Sequence, residues 1–442
     1  MMKVRWGKLG SSMLMTCLSV ALIAGCTGKA SEQVGAKPTE GTAAKQEKVN
    51  ITFWTLWDGA DASTARVIVD EYNKTHPNVQ VKMEFQANDQ YYTKLKASIL
   101  GQTGPDLAIS HIGGNINALK GALLPLDDEA KRLGVNIEFD KYSKDPTAAA
   151  KIDGKQYSVP LDNLARVFMY NKSILKDAGL LDASGKPMIG TDFAGFMKAL
   201  QQIKEKNPDV SPLTMTIKPP QLVLTWLTFY YQMGGGDFLN PETKKASFDD
   251  AKAVAALKAL REMYSMTPPK LADPGGLDKF KAKKAAFFMD GTWSISAAGE
   301  PLGQDYGVIG FPKFFDKNVE ITTSHGFILP QRAARTDSQT KAALEFIKWF
   351  ADNNAKWAQA GHVPGFEPAM QTNEFKSLPY HSQFVDPNRI AISLPVIPGT
   401  MLHQAPEVRD PVQLAILGDM KAEDAVAQIR TNLDKLLPQL MK

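Results

Sequence analysis

Short apolar segments alternate with helical spacings from residue 49 onward. An apolar strand at 51–53 is followed at 65–72 by apolar residues three and four positions apart, the spacing of one helix face. Residues 79–85 alternate between apolar and polar side chains, which is typical of a strand with one wetter face. A second helical spacing at 92–99 and an apolar strand at 107–109 complete a βαβαβ run. This order predicts a parallel sheet with right-handed crossovers.

The later segments extend this α/β pattern. Strands are predicted at 162–171, at 306–311 and at 327–329, and we expect the last two to return to the sheet of the βαβαβ run. Helices are predicted from the apolar spacing at 172–178, at 222–233, around 343–350 and at 426–436.

The first 25 residues predict a secretory signal peptide. A basic stretch with Lys3, Arg5 and Lys8 precedes an apolar run from Met13 to Ile23. This run is shorter than the ~20 apolar residues of a membrane-spanning helix, and no later stretch reaches that length. We therefore expect the mature chain not to span a membrane.

The end of this leader, Leu22-Ile23-Ala24-Gly25-Cys26, resembles the lipobox of bacterial lipoproteins, in which the Cys is acylated and becomes the first mature residue. An ordinary secretion signal with an incidental Cys is the alternative. The other Cys, Cys17, lies inside the leader, so we expect no intramolecular disulfide in the mature chain. Residues 26–48 are small, polar and charged with almost no large apolar side chain, which predicts a flexible tether.

Composition and charge exclude several classes of protein. The 442 residues are 44% hydrophobic and 22% charged, which is ordinary for a folded chain of two or three domains. The formal net charge is +4, and removing the three leader cations leaves +1. A nearly neutral chain has no overall field to hold nucleic acid or a membrane surface, so we expect no nucleic-acid partner.

Three loops follow the carboxyl ends of the predicted parallel strands, where open α/β sheets bind ligands. They are 54–58, 86–89 and 110–111. None carries the glycine-rich fingerprint of a dinucleotide or phosphate site, because Gly113-Gly114-Asn115 lacks the spacing and the lysine. The sequence therefore disfavours a nucleotide-dependent enzyme and predicts no cofactor.

Several short motifs occur in a fixed order along the chain. They are Gly104-Pro105-Asp106-Leu107, Tyr157-Ser158-Val159-Pro160, Met169-Tyr170-Asn171-Lys172-Ser173-Ile174-Leu175, Ala178-Gly179-Leu180, Ala286-Phe287-Phe288-Met289 with Gly291-Thr292-Trp293, and Ala343-Leu344-Glu345-Phe346-Ile347. From about Ile51 to the C-terminus this set resembles the type 1 extracellular solute-binding proteins of bacterial ABC importers, the group that includes maltose-binding protein.

The resemblance implies an α/β, two-lobe fold of the type II periplasmic-binding-protein-like class, each lobe a mainly parallel sheet flanked by helices, with the ligand cleft between the lobes. It implies an N-terminal lobe at 49–160 and 308–362 and a C-terminal lobe at 161–307 and 363–442. It further implies a monomeric, lipid-anchored extracytoplasmic component of an ABC importer. Such a protein captures a mono- or oligosaccharide by hinge closure and delivers it to permease subunits without any catalytic step.

Aromatic residues are the first ligand candidates, because sugar rings present C–H patches to flat faces and hydroxyls to polar side chains. In the family the Trp of the Gly-Thr-Trp turn stacks on the ligand, which favours Trp293 over a packing role. Trp54 and Trp57 lie at the mouth of the first strand, where one of them could instead cover the lobe edge. Trp226 is a candidate in the second lobe, although its helical spacing with Tyr230 is more often a core pattern.

Polar candidates come from the strand ends and from the start of the second lobe. Asp89 directly precedes a helix, so a capping role is equally open. His325 is a weaker candidate, and we assign Asp106 to the architecture near its strand. The polar ligand candidates are Asp58, Gln86, Asp89, Ser110 and His111 after the first three strands, and Asp162 and Asn163 after the inferred hinge at Pro160.

The competing class is a secreted glycoside hydrolase, which cleaves sugars with two carboxylates. Acidic residues are plentiful, but the sequence has no His-Glu-x-x-His and no Gly-x-Ser-x-Gly motif. A metal carrier on a similar fold would need clustered Tyr or His ligands, and the six His are scattered without ligand spacing, so we expect no metal site. The sequence leaves the solute open among neutral sugars, charged sugars, sugar phosphates and polyols.

Overall fold

Two α/β lobes make up the described part of the chain, which in this computed structural model comprises residues 48–86, 88–268 and 275–441. The predicted signal peptide, Cys26 and the predicted tether up to residue 47 lie outside the described residues. The same is true of the side chain of Asp89. No helix within the described ranges is both long and apolar enough to cross a membrane.

The first lobe begins with the βαβαβ run that the hydrophobic pattern predicts. Strand β1 pairs in parallel with β2 on one side and with β3 on the other. Strand β2 is the edge strand of its sheet, and its polar residues alternate with apolar ones because successive side chains point to opposite faces. The elements are β1 (Val49–Thr55), α1 (Gly59–Thr75), β2 (Val79–Phe85), α2 (Asn88–Leu100) and β3 (Leu107–His111).

The rest of this lobe leads to the first crossing between the lobes. Helices α3 (Gly114–Leu119), α4 (Leu126–Leu133) and α5 (Lys144–Ala149) precede the hairpin of β4 (Lys151–Ile152) and β5 (Lys155–Gln156), and β6 (Val159–Pro160) follows. Among the described residues the sheet has the order β2-β1-β3-β15-β6, where β15 (His325–Ile328) returns from the second lobe and runs antiparallel to β3 and β6.

Asp106 ties the first lobe together at the start of β3. Its Oδ2 accepts hydrogen bonds from the backbone N–H and the hydroxyl of Thr52 in β1, at 2.8 and 2.7 Å. Its Oδ1 accepts a hydrogen bond of 2.6 Å from Arg332 Nη1, which follows β15. Asp106 is 2% exposed, so its contacts confirm the architectural role expected from the sequence.

The second lobe has its own mixed sheet, which in the described ranges has the order β13-β8-β12-β9. Strand β9 runs parallel to β12, whereas β8 runs antiparallel to both β12 and β13. Its elements are β7 (Asp162–Asn163), β8 (Arg166–Asn171), α6 (Lys172–Asp177), α7 (Phe193–Lys206), β9 (Ser211–Met215), α8 (Pro219–Gln232), β10 (Leu239–Asn240), β11 (Lys245–Ala246), α9 (Asp250–Tyr264), α10 (Gly275–Lys281), β12 (Ala285–Gly291), α11 (Ile295–Gly299) and β13 (Tyr306–Gly310).

One strand assignment from the sequence is wrong. We expected the apolar segment 306–311 to return to the first sheet, but β13 pairs with β8 in the second sheet. Its apolar residues show that it is buried, but they do not show which strand is its partner. The return to the first lobe comes later, through β14 (Val319–Thr322) and then β15.

The chain then completes the first lobe and crosses once more to the second. Helices α12 and α13 pack on the first lobe, and α16 and α17 belong to the core of the second. The elements are α12 (Asp337–Asp352), α13 (Asn354–Trp357), β16 (Val363–Pro364), α14 (Asn373–Lys376), α15 (His381–Phe384), β17 (Ile390–Ser393), β18 (Val396–Ile397), β19 (Thr400–Met401), α16 (Pro406–Leu417) and α17 (Ala422–Leu440).

The crossing segments pair with one another between the lobes. Strand β16 pairs with β7, and β14 pairs with β17. Glu320 in β14 is 1% exposed and connects all three crossings, because it accepts hydrogen bonds from the backbone N–H of Arg166 and from Arg389 Nη1. This arrangement holds the crossings together beside the cleft.

Candidate ligand-binding cleft

A cavity of about 500 Å³ lies between the two lobes. This volume falls within the ~300–1,000 Å³ typical of small-molecule sites. The first lobe contributes residues 56–61, His111, His325 and His362 to its lining. The second lobe contributes Thr216, Lys218, Pro220, Gln221, Leu224, Leu277, Phe288, Asp290, Trp293, Ser294, Ala297, His403 and Gln404, and Leu164 and Thr323 come from the crossings.

The first-lobe side of the cavity is the turn between β1 and α1. Gly59 adopts φ +51°, a left-handed conformation that favours glycine, and this lets the chain turn directly from strand to helix. Asp58 is the exposed N-cap residue of α1, but its side chain makes no capping hydrogen bond. Trp57 is only 2% exposed, and its ring centroid lies 4.5 Å from the ring centroid of Trp357. This turn therefore brings a carboxylate and the edge of a packed indole to the cavity.

The second-lobe side is built around Trp293, in the turn that follows β12. A Cβ atom on Gly291 would lie 2.2 Å from the indole ring, so the ring lies directly over that glycine. The guanidinium carbon of Arg166 is 5.1 Å from the ring centroid, within range of a cation–π contact. Trp293 stays partly exposed and lines the cavity, as a stacking platform must.

Buried polar groups surround Trp293. Asp290 Oδ2 accepts a hydrogen bond of 2.6 Å from Ser294 Oγ. Asp290 Oδ1 is buried and has no hydrogen-bond partner in the described part of the chain. Burial raises the pKa of Asp290, and the neighbouring Arg166 opposes that rise. Arg166 also donates to Gln221 Oε1 in the first turn of α8.

Four histidines from separate chain segments line the cavity: His111, His325, His362 and His403. The rings of His111 and His325 have centroids 4.6 Å apart. His362 Nε2 lies 2.9 Å from Asp61 Oδ1, and its ring stacks on Trp357 with a centroid distance of 4.7 Å. The six histidines look scattered in the sequence because these four converge only in the folded chain.

The cavity environment lowers the pKa of two of these histidines and raises the pKa of a third. Burial, with the neighbouring His325 and His403, lowers the pKa of His111 well below its ordinary value. Burial and the nearby Arg166 lower the pKa of His403 to about 3. Burial also acts to lower the pKa of His362, but the charge and hydrogen bond of Asp61 outweigh it, so the net shift is upward. His111 and His403 are therefore neutral at physiological pH.

Asp162 is the buried anchor of this histidine group. Its Oδ1 accepts the backbone N–H of His325 at 2.8 Å, and its Oδ2 lies 2.9 Å from both His325 Nδ1 and Trp357 Nε1. Burial acts to raise the pKa of Asp162, but the charges of His325 and His362 and the hydrogen bonds from His325 lower it to about 2. Asp162 is 0% exposed, which corrects the expectation that it contacts the ligand itself.

Four of the sequence-predicted ligand residues line the cavity, namely Trp57, Asp58, His111 and Trp293, and so does the weaker candidate His325. Trp226 does not, because it is fully buried and its Nε1 donates to Ala253 O in the core of the second lobe. This corrects its assignment to the cleft.

The other predicted residues bond elsewhere and do not line the cavity. Trp54 Nε1 donates to Glu84 Oε2 at 3.0 Å, and Gln86 Oε1 lies 3.4 Å from Lys94 Nζ. Ser110 is fully buried, and its Oγ donates to the carbonyl of His111. Asn163 Nδ2 donates to Ser143 Oγ at 2.9 Å. We leave these residues out of the proposed site.

The sequence reasoning missed several residues that line the cavity: Asp61, Lys218, Gln221, Asp290, Ser294, His362, His403 and Gln404. A local signal existed for Asp290 and Ser294, because they flank the Gly-Thr-Trp turn in the sequence. His362 and His403 carry no such signal, since they follow elements that only the crossings bring to the cleft. Within the described ranges, no group of three or more His, Cys, Asp or Glu has an arrangement that could hold a metal ion.

Comparisons with known proteins agree with this architecture. The family model of the bacterial extracellular solute-binding protein matches residues 57–357. Diacetylchitobiose binding protein DasA of Streptomyces coelicolor is 22% identical over 305 residues, which is 66% of each chain.

Two solved structures share the two-lobe fold. Maltose-bound MalE3 of T. maritima superposes with a TM-score of 0.72 at 16% identity, over 88% of this chain and all of that one. UgpB of Mycobacterium tuberculosis, in complex with glycerophosphocholine, superposes with a TM-score of 0.73 at 18% identity, over 89% of this chain and 99% of that one. These similarities confirm the expected fold class and the family, and the chain belongs to the bacterial extracellular solute-binding proteins.

Proposed function

We propose that this protein captures a mono- or oligosaccharide in the cleft and hands it unaltered to the permease of an ABC importer. The observation that carries the proposal is the partly exposed indole of Trp293, held over Gly291 in a cavity that is otherwise rich in polar side chains. An aromatic face beside hydroxyl-binding groups is the chemistry that a sugar ring requires. Trp57, Asp58, His111 and His325 complete the proposed site from the first lobe.

The division of the site between two lobes supports capture by hinge closure. Trp293, Asp290 and Gln221 come from the second lobe, whereas Asp58 and His111 come from the first. A ligand that contacts both groups gains interactions in the closed state that the open state lacks, and this difference shifts the hinge equilibrium. The closed form then presents the surface that a permease recognises.

Relatives support the ligand class without identifying the solute. DasA is named for diacetylchitobiose, and the MalE3 structure contains maltose. The UgpB structure contains glycerophosphocholine, so the same fold also accommodates a different class of polar solute. Sugar is therefore the proposal, and sugar phosphates belong in the library that tests it.

A lipid anchor at Cys26 completes the proposed placement on the extracytoplasmic face of the cell membrane. Each buried CH₂ of an acyl chain contributes ~0.8 kcal/mol, and stable attachment needs more than one chain. Residues 26–48 would then act as the tether. In cells that carry the chain, Cys26→Ser should abolish incorporation of labelled palmitate and release the protein from membranes. Equal membrane retention of the variant refutes the anchor.

The proposal includes no chemical step, in contrast to a glycoside hydrolase. The carboxylates that line the cavity are Asp58, Asp61 and Asp290. Asp61 lies 2.9 Å from His362 Nε2, and Oδ2 of Asp290 accepts the hydroxyl of Ser294, so each carboxylate has at least one oxygen engaged by the protein. Overnight incubation with polysaccharides and oligosaccharides should release no reducing sugar. Release of reducing ends that grows with protein concentration would establish the hydrolase instead.

A thermal-shift screen against a carbohydrate library tests the binding function. A ligand at a hundredfold excess over its Kd stabilises the folded state by about 2.7 kcal/mol, which raises the unfolding temperature measurably. The screen should find at least one sugar that stabilises the wild type and the control Trp54→Ala, but fails to stabilise Trp293→Ala. A library in which no carbohydrate shifts the transition contradicts the proposal.

A further inference from the structure

The two lobes touch next to the cavity, where the start of α3 meets the hairpin of β18 and β19. The backbone N–H of Gly399, in the turn of this hairpin, donates to the carbonyl oxygen of Gly114, the first residue of α3, at 3.3 Å. Gly114 comes three residues after His111, and the hairpin leads directly into His403 and Gln404. These last three residues line the cavity from opposite lobes. The contact therefore joins the lobes beside the ligand site.

The hairpin places two backbone carbonyl oxygens against Gly114. Pro398 and Gly399 occupy the central positions of its turn, and Gly399 has a φ of +96°, a left-handed conformation that favours glycine. The carbonyl oxygens of Ile397 and Thr400, on either side of this turn, lie next to Gly114. A Cβ atom on Gly114 would overlap the oxygen of Thr400 and lie 2.5 Å from that of Ile397. This close approach therefore requires glycine at position 114.

Each side of this contact is anchored in the core of its own lobe. Ile116 in α3 is 0% exposed and belongs to the core of the first lobe. Ile397, Met401 and Leu402 are buried in the core of the second lobe. A side chain added at Gly114 would meet backbone oxygens, which no change of rotamer can move away. The overlap would therefore be relieved by moving one lobe relative to the other.

We propose that the contact of Gly114 with the β18–β19 hairpin sets how closely the two lobes approach each other around the ligand. Gly114 is then a positioning residue, because it does not line the cavity itself but acts through the spacing between His111 and His403. A ligand held by both lobes gains its full set of contacts only at this spacing, so the contact contributes to the stability of the closed state and to affinity. The inference rests on the proposed function, which requires capture between two lobes.

Gly114→Ala tests this contact with a single methyl group. Gly114 is helical and has no positive φ, so alanine fits its backbone and the nearest atoms that the methyl meets are those of the hairpin. Gly121→Ala is the matched control in the same lobe. Gly121 follows α3, has no positive φ either, and a Cβ atom there meets no atom of the described residues within 4 Å. The two variants therefore differ in the overlap with the hairpin and not in backbone strain.

Titration and binding kinetics with the strongest sugar from the screen measure the effect on affinity. Gly114→Ala should bind about tenfold more weakly than the wild type, because overpacking destabilises the closed state. The loss should appear as faster dissociation, with the association rate nearly unchanged. Gly121→Ala should bind within about twofold of the wild type. If thermal unfolding shows that Gly114→Ala is destabilised but its affinity equals that of Gly121→Ala, the contact serves folding alone and the inference is overturned.

A second variant, Pro398→Gly, decides the question if Gly114→Ala does not fold. It adds no side-chain atom and leaves the buried residues of both cores in place. It loosens the turn that holds the two carbonyl oxygens against Gly114, because proline restricts the backbone and glycine does not. Sugar affinity should fall in the same direction, by about threefold. An affinity equal to that of the wild type in this variant overturns the inference.

Small-angle X-ray scattering separates this inference from the proposed function. At saturating sugar, Gly114→Ala should have a larger radius of gyration than Gly121→Ala, because the methyl group keeps the lobes apart. Equal radii there overturn the role of the Gly114 contact and leave sugar capture in place. If no sugar binds the wild type, the proposed function fails, and the same comparison is made in buffer. The contact is formed in the structure, so the same order of radii is expected in buffer, and equal radii overturn the inference.

Discussion

Removal of the Trp293 indole is the perturbation whose size follows most directly from the structure. The ring lies over Gly291, the guanidinium carbon of Arg166 is 5.1 Å from the ring centroid, and the side chain stays partly exposed and lines the cavity. A sugar against the exposed part of the ring covers roughly 50 Å² of the 150–250 Å² that an aromatic side chain can bury, together with a similar area of its own. At ~25 cal/mol per Å² these areas correspond to about 2.5 kcal/mol, or on the order of 70-fold in Kd.

Isothermal titration of Trp293→Ala with the strongest sugar from the screen measures this loss. Trp54→Ala is the matched control, because Trp54 is also a partly exposed indole but bonds to Glu84 outside the cavity. We expect the control to bind within about twofold of the wild type. The reasoning is refuted if Trp293→Ala, shown to be folded by circular dichroism, binds within about threefold of the wild type.

Three further substitutions test the placement of the indole and the roles of two buried carboxylates. Gly291→Ala should displace the indole, because the new Cβ would meet the ring at 2.2 Å, and titration should then show a loss of affinity comparable to that of Trp293→Ala; unchanged binding contradicts this placement of the ring. Asp106→Ala should lower the free energy of unfolding by about 3 kcal/mol in urea denaturation, because Arg332 and Thr52 lose a buried acceptor, while affinity per folded molecule stays the same. Because the pKa of Asp162 falls from 3.8 to about 2 on folding, the ionised side chain stabilises the folded state fully above pH ~4, and this stabilisation is lost as the pH falls towards 2. Acid denaturation of Asp162→Asn should lack this pH dependence, and identical unfolding curves of the two proteins at acid pH count against it.

The sequence predicts the first lobe well because its information there is local. Each strand and helix of the βαβαβ run carries its own period, and the ends of β1 and β3 define loops that reach the cavity. The positions of the strand ends alone predict that Trp57, Asp58 and His111 lie at the cleft, and all three line the cavity. Trp293 required the family resemblance, since nothing in its immediate spacing separates a cleft residue from a packing one.

The remaining errors concern contacts between distant segments. The segment 306–311 is correctly predicted as a buried strand, but its partner β8 lies more than a hundred residues earlier. Asp162 is correctly predicted beside the crossing, yet it bonds to His325 and Trp357 from two later segments and is sealed from the cavity. His362 lies just before the last crossing and His403 lies after it, and no local period places either residue at the cavity.

A crystal structure of the protein with the strongest neutral sugar from the screen tests the central claim most directly. The account predicts intact sugar density between the lobes, with one ring against the exposed part of the Trp293 indole and hydroxyls near Asp58 and His111. Density at any other surface, or a glycosidic bond cleaved in the cleft, would contradict it.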